Sequence, residues 1–111
     1  MYALAIIRYR RPLEEVLQHV NAHRAYLQGL HDQGWLVASG PFEPRVGGAL
    51  LLCVPDGDLG ATLNRIRDQD PFVREGVAQY EMWPWRPVIG EEVLGGLKTT
   101  SAEEDDERGN A

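Results

Sequence analysis

Along most of the chain the spacing of apolar residues switches between two periods, and each switch marks a change of element. Residues Tyr2 to Tyr9 (YALAIIRY) read as a strand. Arg10, Arg11 and Pro12 end it before a helix that begins at Pro12 or Leu13. From there Leu13, Val16, Leu17, Val20, Leu27 and Leu30 fall at helical spacing and form one apolar stripe, which Gly34 stops. Trp35 to Ser39 is a second strand closed by Gly40 and Pro41, and Phe42 to Gly48, rich in proline and glycine, is a loop. Ala49 to Val54 (ALLLCV) is the third strand. Asp56, Gly57 and Asp58 make a turn in which Asp58 caps a helix with the stripe Leu59, Leu63 and Ile66. That helix ends near Asp70, because Pro71 disfavours helical geometry in the residue before it. In Val77 to Trp83, Val, Gln, Glu and Trp alternate with Ala, Tyr and Met, as in a half-exposed strand at a sheet edge.

The order β-α-β-β-α-β, with right-handed crossovers, sets both helices on one face of a four-stranded antiparallel sheet. The expected class is therefore α+β, a ferredoxin-like βαββαβ domain. The first strand is apolar on both sides for most of its length, and so is the third. With helices on one face only, the other would expose an apolar patch on the order of several hundred Å², which monomers rarely tolerate. A second copy of the same sheet is the simplest cover, giving a two-fold homodimer with sheets face to face.

Composition narrows this reading further. With 111 residues, 43% of them hydrophobic, one modest core is expected, so the segment 1–90 is a single domain. The net charge of −6 is uneven: from Glu91 onward there are seven acidic residues against Lys98 and Arg108. The part up to Gly90 is nearly neutral and offers no basic face, which argues against nucleic acid as a partner. The acidic segment 91–111, nearly devoid of large apolar side chains from Gly95 on, is expected to be a disordered or loosely attached tail. No apolar run approaches the ~20 residues needed to span a bilayer, and the short apolar start precedes its arginines, unlike a signal peptide. A cytoplasmic protein without membrane contact is expected. The lone Cys53, within an apolar run, reads as core filler.

Candidate chemistry starts with His23, which interrupts the apolar stripe between Val20 and Leu27. It is either a core histidine satisfied by one hydrogen bond or a functional ring facing a cleft. The functional reading requires a second group, and Asp70 supplies one if the two helices pack side by side, since a carboxylate orients the ring and raises its basicity. The alternative for Asp70 is that it merely starts a turn. Arg8 and Arg24 are candidates to hold an anionic or phenolate substrate, against the commoner fate of surface ion pairing. Tyr26, Trp35, Phe42 and Phe72 are candidates to line an aromatic-binding cavity, or else core. Ser39 has no Gly-x-Ser-x-Gly setting, so it counts as a candidate ligand contact rather than a nucleophile. His19 and His23, four apart, have no HExxH motif, so no metal is expected. His31 is placed to meet carbonyls at the helix end. Gly47 and Gly48 form no phosphate-binding signature, and no cofactor is implied.

Two segments carry a family resemblance. AHRAYLQGLHDQGWLVASGPF (Ala22 to Phe42) resembles the YciI-like (YCII-related) pattern of a histidine, a leucine-rich helix, a glycine, a strand and Gly-Pro. DPFVREGVAQYEMWPW (Asp70 to Trp85) resembles its second signature, Asp-Pro-aromatic, then glycine and a final strand. The resemblance implies a dimeric α+β barrel fold with a His–Asp pair in a cleft, which His23 and Asp70 match. It also implies small-molecule chemistry, one member being a dehydrochlorinase of a chlorinated hydroxyhydroquinone. The short loop Phe42 to Gly48 and the acidic tail depart from the pattern, and a shorter loop at the cleft implies a different substrate.

Two functions fit these expectations. One is a cofactor-free enzyme in which a His–Asp pair performs acid/base elimination or isomerisation on a small hydroxylated, aromatic compound. The other is a non-catalytic binding or regulatory dimer that holds a metabolite in the same cleft.

Overall fold

The computed structural model describes residues 1–96. Residues 97–111, which hold most of the acidic tail, lie outside the described residues, while residues 91–96 form a short helix. The elements are β1 (Tyr2–Tyr9), α1 (Leu13–Leu17), α2 (Val20–Asp32), β2 (Leu36–Pro41), β3 (Gly47–Cys53), α3 (Leu59–Gln69), α4 (Pro71–Arg74) and β4 (Ala78–Trp85). The four strands make one antiparallel sheet in the order β2-β3-β1-β4, the ferredoxin-like arrangement expected of the sequence. None of the described helices is long and apolar enough to cross a membrane.

Period-two alternation divides the strands into two faces. Ala3, Ala5 and Ile7 of β1, Leu50 and Leu52 of β3, and Ala78 and Tyr80 of β4 are buried, and with Leu27, Leu30, Leu63 and Ile66 from the helices they form the core. On the opposite face Leu4 lies between Leu51 and Trp83, and Ile6 lies between Ala49 and Glu81. Trp83 is exposed there, and Leu4, Ile6 and Leu51 are half-buried. Cys53 is buried in β3.

The expected first helix is two helices. Gln18 and His19 donate to Glu15 and Val16 carbonyls three residues back, a tightened turn that closes α1 before α2 starts. Only Val16 of α1 is buried, and Leu13 and Leu17 of the expected stripe face solvent. At the far end, Gly34 (φ +86°) takes the left-handed position of a Schellman stop, with Gly34 N–H donating to His31 O and Trp35 N–H to Leu30 O. Gly76 (φ +71°) ends α4 the same way, donating to Val73 O while Val77 N–H donates to Phe72 O. That four-residue helix was not expected. It exists because Asp70, held extended (φ −68°, ψ 127°) before Pro71, ends α3 and caps α4 in one step.

Strand ends also run further than expected, to Pro41 in β2 and through Pro84 in β4. Both are edge strands, where a missing N–H does not break the sheet. Gly47 and Gly48 belong to β3 rather than to the loop. A Cβ at Gly47 would lie 1.9 Å from the Ile7 carbonyl oxygen, and one at Gly48 2.6 Å from that of Gly40. Their function is close strand approach, in a wall of the cavity described below.

Gly47→Ala should therefore cost about 3 kcal/mol by forcing β3 from β1. Gly29→Ala, in the interior of α2 with no atom within 4 Å of the new Cβ, should instead stabilise by about 0.5–1 kcal/mol. Urea unfolding midpoints of the two variants check this contrast; equal shifts of one sign would contradict it.

Candidate active site

The Asp70 side chain is the most enclosed polar group of the described residues, with no solvent exposure. A carboxylate in such surroundings needs hydrogen-bond donors to stay ionised, and three elements supply them. The Phe72 N–H donates to Oδ1 at 2.9 Å, which caps α4. The Tyr80 hydroxyl, inward on β4, donates to Oδ2. His23 Nδ1, on α2, lies 2.8 Å from Oδ1 and 2.9 Å from Oδ2. An acceptor-only carboxylate on both contacts requires Nδ1 to carry the proton, so the neutral ring has its lone pair on Nε2. His23 and Asp70 thus form a buried pair, the arrangement that the family resemblance implies.

The ring plane is fixed as well. The Phe72 ring stacks on His23 with centroids 3.8 Å apart and planes 4° from parallel. Tyr9 in turn meets Phe72 edge to face at 6.0 Å and 88°. His23 is 8% exposed, and among the described residues no buried side-chain nitrogen or oxygen lacks a partner. Nε2 makes no hydrogen bond among the described residues, so it is the ring nitrogen that reaches solvent.

His23 lines a cavity of about 460 Å³ between α2 and the β2–β3 side of the sheet. The wall from α2 includes His23, Arg24, Leu27, Gln28 and His31. The opposite wall includes Ser39 and Pro41 of β2, Gly47 and Leu50 of β3, and Arg45 from the connecting loop. The cavity thus brings together four residues singled out from sequence, His23, Arg24, Ser39 and Phe72, with Asp70 directly behind His23.

Four expected ligand contacts lie elsewhere. Arg8 projects on the far face of the sheet with Leu4 and Ile6, its guanidinium 3.9 Å from Glu81. Tyr26 faces α3, where its hydroxyl donates to Ile66 O at 2.8 Å. Phe42 is exposed just beyond β2 and does not line the cavity; neither does Trp35. His31 differs from its expected helix-end role, its Nδ1 meeting Leu36 O of β2 at 2.8 Å. Arg45 and Tyr80 were missed. Tyr80 had a signal, since the alternation in β4 points this hydroxyl-bearing ring inward with Ala78, whereas Arg45 sits in a loop without period. Among the described residues no group of His, Cys, Asp and Glu is arranged to hold a metal.

With the geometry in place, comparisons with known proteins define the class. The chain matches the YCII-related domain over residues 1–86 and belongs to that family. No curated protein matches it. Among solved structures it is similar to 5-chloro-2-hydroxyhydroquinone dehydrochlorinase (TftG) from Burkholderia phenoliruptrix AC1100, in complex with 2,5-dihydroxybenzoquinone. The TM-score is 0.65 at 22% identity, covering 79% of this chain and 96% of the other, a likeness of fold.

Two tyrosines record the electrostatics around Asp70. Burial, and then the negative charge of Asp70, push Tyr26 up to about 12 from an ordinary value of 10. Burial foremost, with the Asp70 charge and the hydrogen bond to it, drives Tyr80 upward too. Both folded-state values exceed the unfolded ones, so the folded protein keeps protons that the unfolded chain has released. That contribution is complete below pH 10 and declines as pH rises from about 10 towards 12. Unfolding midpoints should fall across that window, and Tyr80→Phe should flatten the decline; a stability independent of pH there would contradict the burial of both phenols.

Proposed function

We propose that this YCII-related protein is a cofactor-independent enzyme that uses His23 and Asp70 for acid/base elimination or isomerisation on a small hydroxylated, aromatic compound. The observation carrying this reading is the division of labour on one imidazole: Nδ1 is held by a fully buried carboxylate while Nε2 reaches solvent in a cavity. A purely structural histidine would have no use for an open nitrogen. In the forward step, Nε2 takes a proton from a substrate hydroxyl or activated carbon, and the electron pair released expels an anionic leaving group or shifts a double bond. Asp70 stabilises the imidazolium formed, and Phe72 keeps the ring from turning. The proton then returns to the isomerised product or passes to solvent. Such a positioned base contributes roughly 10²–10⁴ in rate, enough for activated carbons. The fold neighbour is itself a dehydrochlorinase by name, which supports elimination as the reaction class.

The test follows chloride release and proton exchange in heavy water on a panel of hydroxylated benzenes and quinones that includes 5-chloro-2-hydroxyhydroquinone. Turnover should depend on one ionisation, and His23→Ala and His23→Gln should each lose about 10²–10⁴ of it while melting near the parent temperature. Panel members that bind equally well to parent and His23→Gln, with none turned over, would sink the enzyme in favour of a binding module.

The working unit in this proposal is a cytoplasmic homodimer. Leu4, Ile6, Leu51 and Trp83 form an apolar band on the face without helices, with Arg8 and Glu81 beside it. Burying that band against its two-fold copy removes it from water at about 25 cal/mol per Å². Light scattering should report twice the monomer mass, and Leu51→Asp should halve it. A monomeric parent at micromolar concentration would refute the pairing.

A further inference from the structure

We infer that the cavity selects small organic anions, and that Arg45 pairs with the ligand's negatively charged oxygen opposite His23. The inference deepens the proposed function by naming a substrate charge, and it shares that reading's cavity, but it does not depend on turnover. It begins from an asymmetry of charge. The chain carries 17 acidic against 11 basic residues, yet the cavity wall contains two guanidinium groups, Arg24 and Arg45, two imidazoles, His23 and His31, and no carboxylate. The nearest acid, Asp70, is shielded behind His23 without solvent exposure. Among the described residues Arg8, Arg11 and Arg67 each meet a carboxylate, whereas Arg24 and Arg45, like Arg10, Arg65, Arg74 and Arg86, form no ion pair; what sets Arg24 and Arg45 apart is that both line the cavity. A wall with unneutralised cations and no anion attracts negative ligands and repels positive ones.

The position of Arg45 makes the inference specific. Its Nε donates to the Tyr9 hydroxyl at 3.4 Å, Tyr9 abuts Phe72, and Phe72 stacks on His23. This succession of rings anchors the guanidinium at the His23 part of the cavity, and its terminal nitrogens make no hydrogen bond among the described residues. A planar fork of donors matches two oxygens of a carboxylate, or the adjacent oxygens of an ionised hydroxyquinone. The volume, about 460 Å³, suits a single-ring compound. An anion held by Arg45 would leave a hydroxyl or ring carbon of the same molecule to face Nε2.

Calorimetric titration of the full chain with three probes separates the alternatives: 2,5-dihydroxybenzoquinone, ionised at neutral pH, benzoate, and uncharged benzyl alcohol. At least one of the two anions should bind, which of them showing whether the site prefers an enolate-type or a carboxylate oxygen. Benzyl alcohol should bind at least tenfold more weakly than that anion, and added salt should weaken the anion. Arg45→Met should lose about tenfold or more in affinity, and Arg45→Lys should recover part of it. Absence of binding by both anions, equal binding of benzyl alcohol, or an Arg45→Met affinity equal to the parent's would overturn the inference. The salt dependence of the parent is a readout that needs no variant to fold. Proton exchange and chloride release test the proton-transfer reading, whereas the parent's salt dependence and the Arg45 variants test the charge reading, so the two fail by different observations.

Discussion

A single buried carboxylate joins the parts of this protein that matter for its site. Asp70 ends α3, caps α4, accepts the Tyr80 hydroxyl from β4 and holds His23 on α2. Each contact solves a local problem. The extended backbone before Pro71 needs a new helix start, α4 needs a cap, and the inward hydroxyl of Tyr80 needs an acceptor. The sum is that two helices and an edge strand cannot move relative to His23 without leaving a charge unsatisfied, a loss of several kcal/mol for a buried ion.

Placement of the ring follows from this junction and from one residue beside it. Because Phe72 stands two positions after Asp70, the same short helix that presents its N–H to the carboxylate also lays an aromatic plane against the imidazole. The pairing fixes two degrees of freedom with five residues of chain: Asp70 sets which nitrogen carries the proton, and Phe72 sets the direction of the other. Tyr9 braces Phe72 from β1, so the arrangement reaches the centre of the sheet.

Much of the fold was readable because strands and helices leave different periods, and the element order was enough for the topology. The two ends of the His23–Asp70 pair were also visible, one as a polar break in an apolar stripe and the other as an Asp-Pro helix stop. Their meeting was not, since it depends on how α2 and α4 pack, and spacing alone also fits a core histidine and a turn-starting aspartate. Arg8 illustrates a different limit. β1 is apolar on both sides, so the pattern does not say which side faces the helices, and the parity that buries Ala3, Ala5 and Ile7 sends Arg8 the other way. Tyr26 lies three residues after His23, a rotation of the helix that turns it to α3. The break between α1 and α2 contains neither glycine nor proline, so nothing in composition announced it. Arg45 was hidden for the plainest reason: a loop residue has no period, and its proximity to His23 arises only after the β2–β3 hairpin folds back.

The energetic character of the pair is itself informative. Buried ion pairs contribute little net stability compared with well-packed apolar side chains of similar volume, because desolvation offsets their attraction. Phe72 stacks on His23, and Val20 and Leu27 line the same cavity from α2, so a leucine would suit these apolar surroundings without a carboxylate to bury. What a leucine would not provide is a nitrogen open to the cavity with its tautomer set from behind. The structure therefore bears a desolvated carboxylate and an unpartnered imidazole nitrogen in a place where packing requires neither. Alongside Arg24 and Arg45, which line facing walls of the cavity without an ion pair among the described residues, that departure from an all-apolar core is what supports the ligand site proposed above.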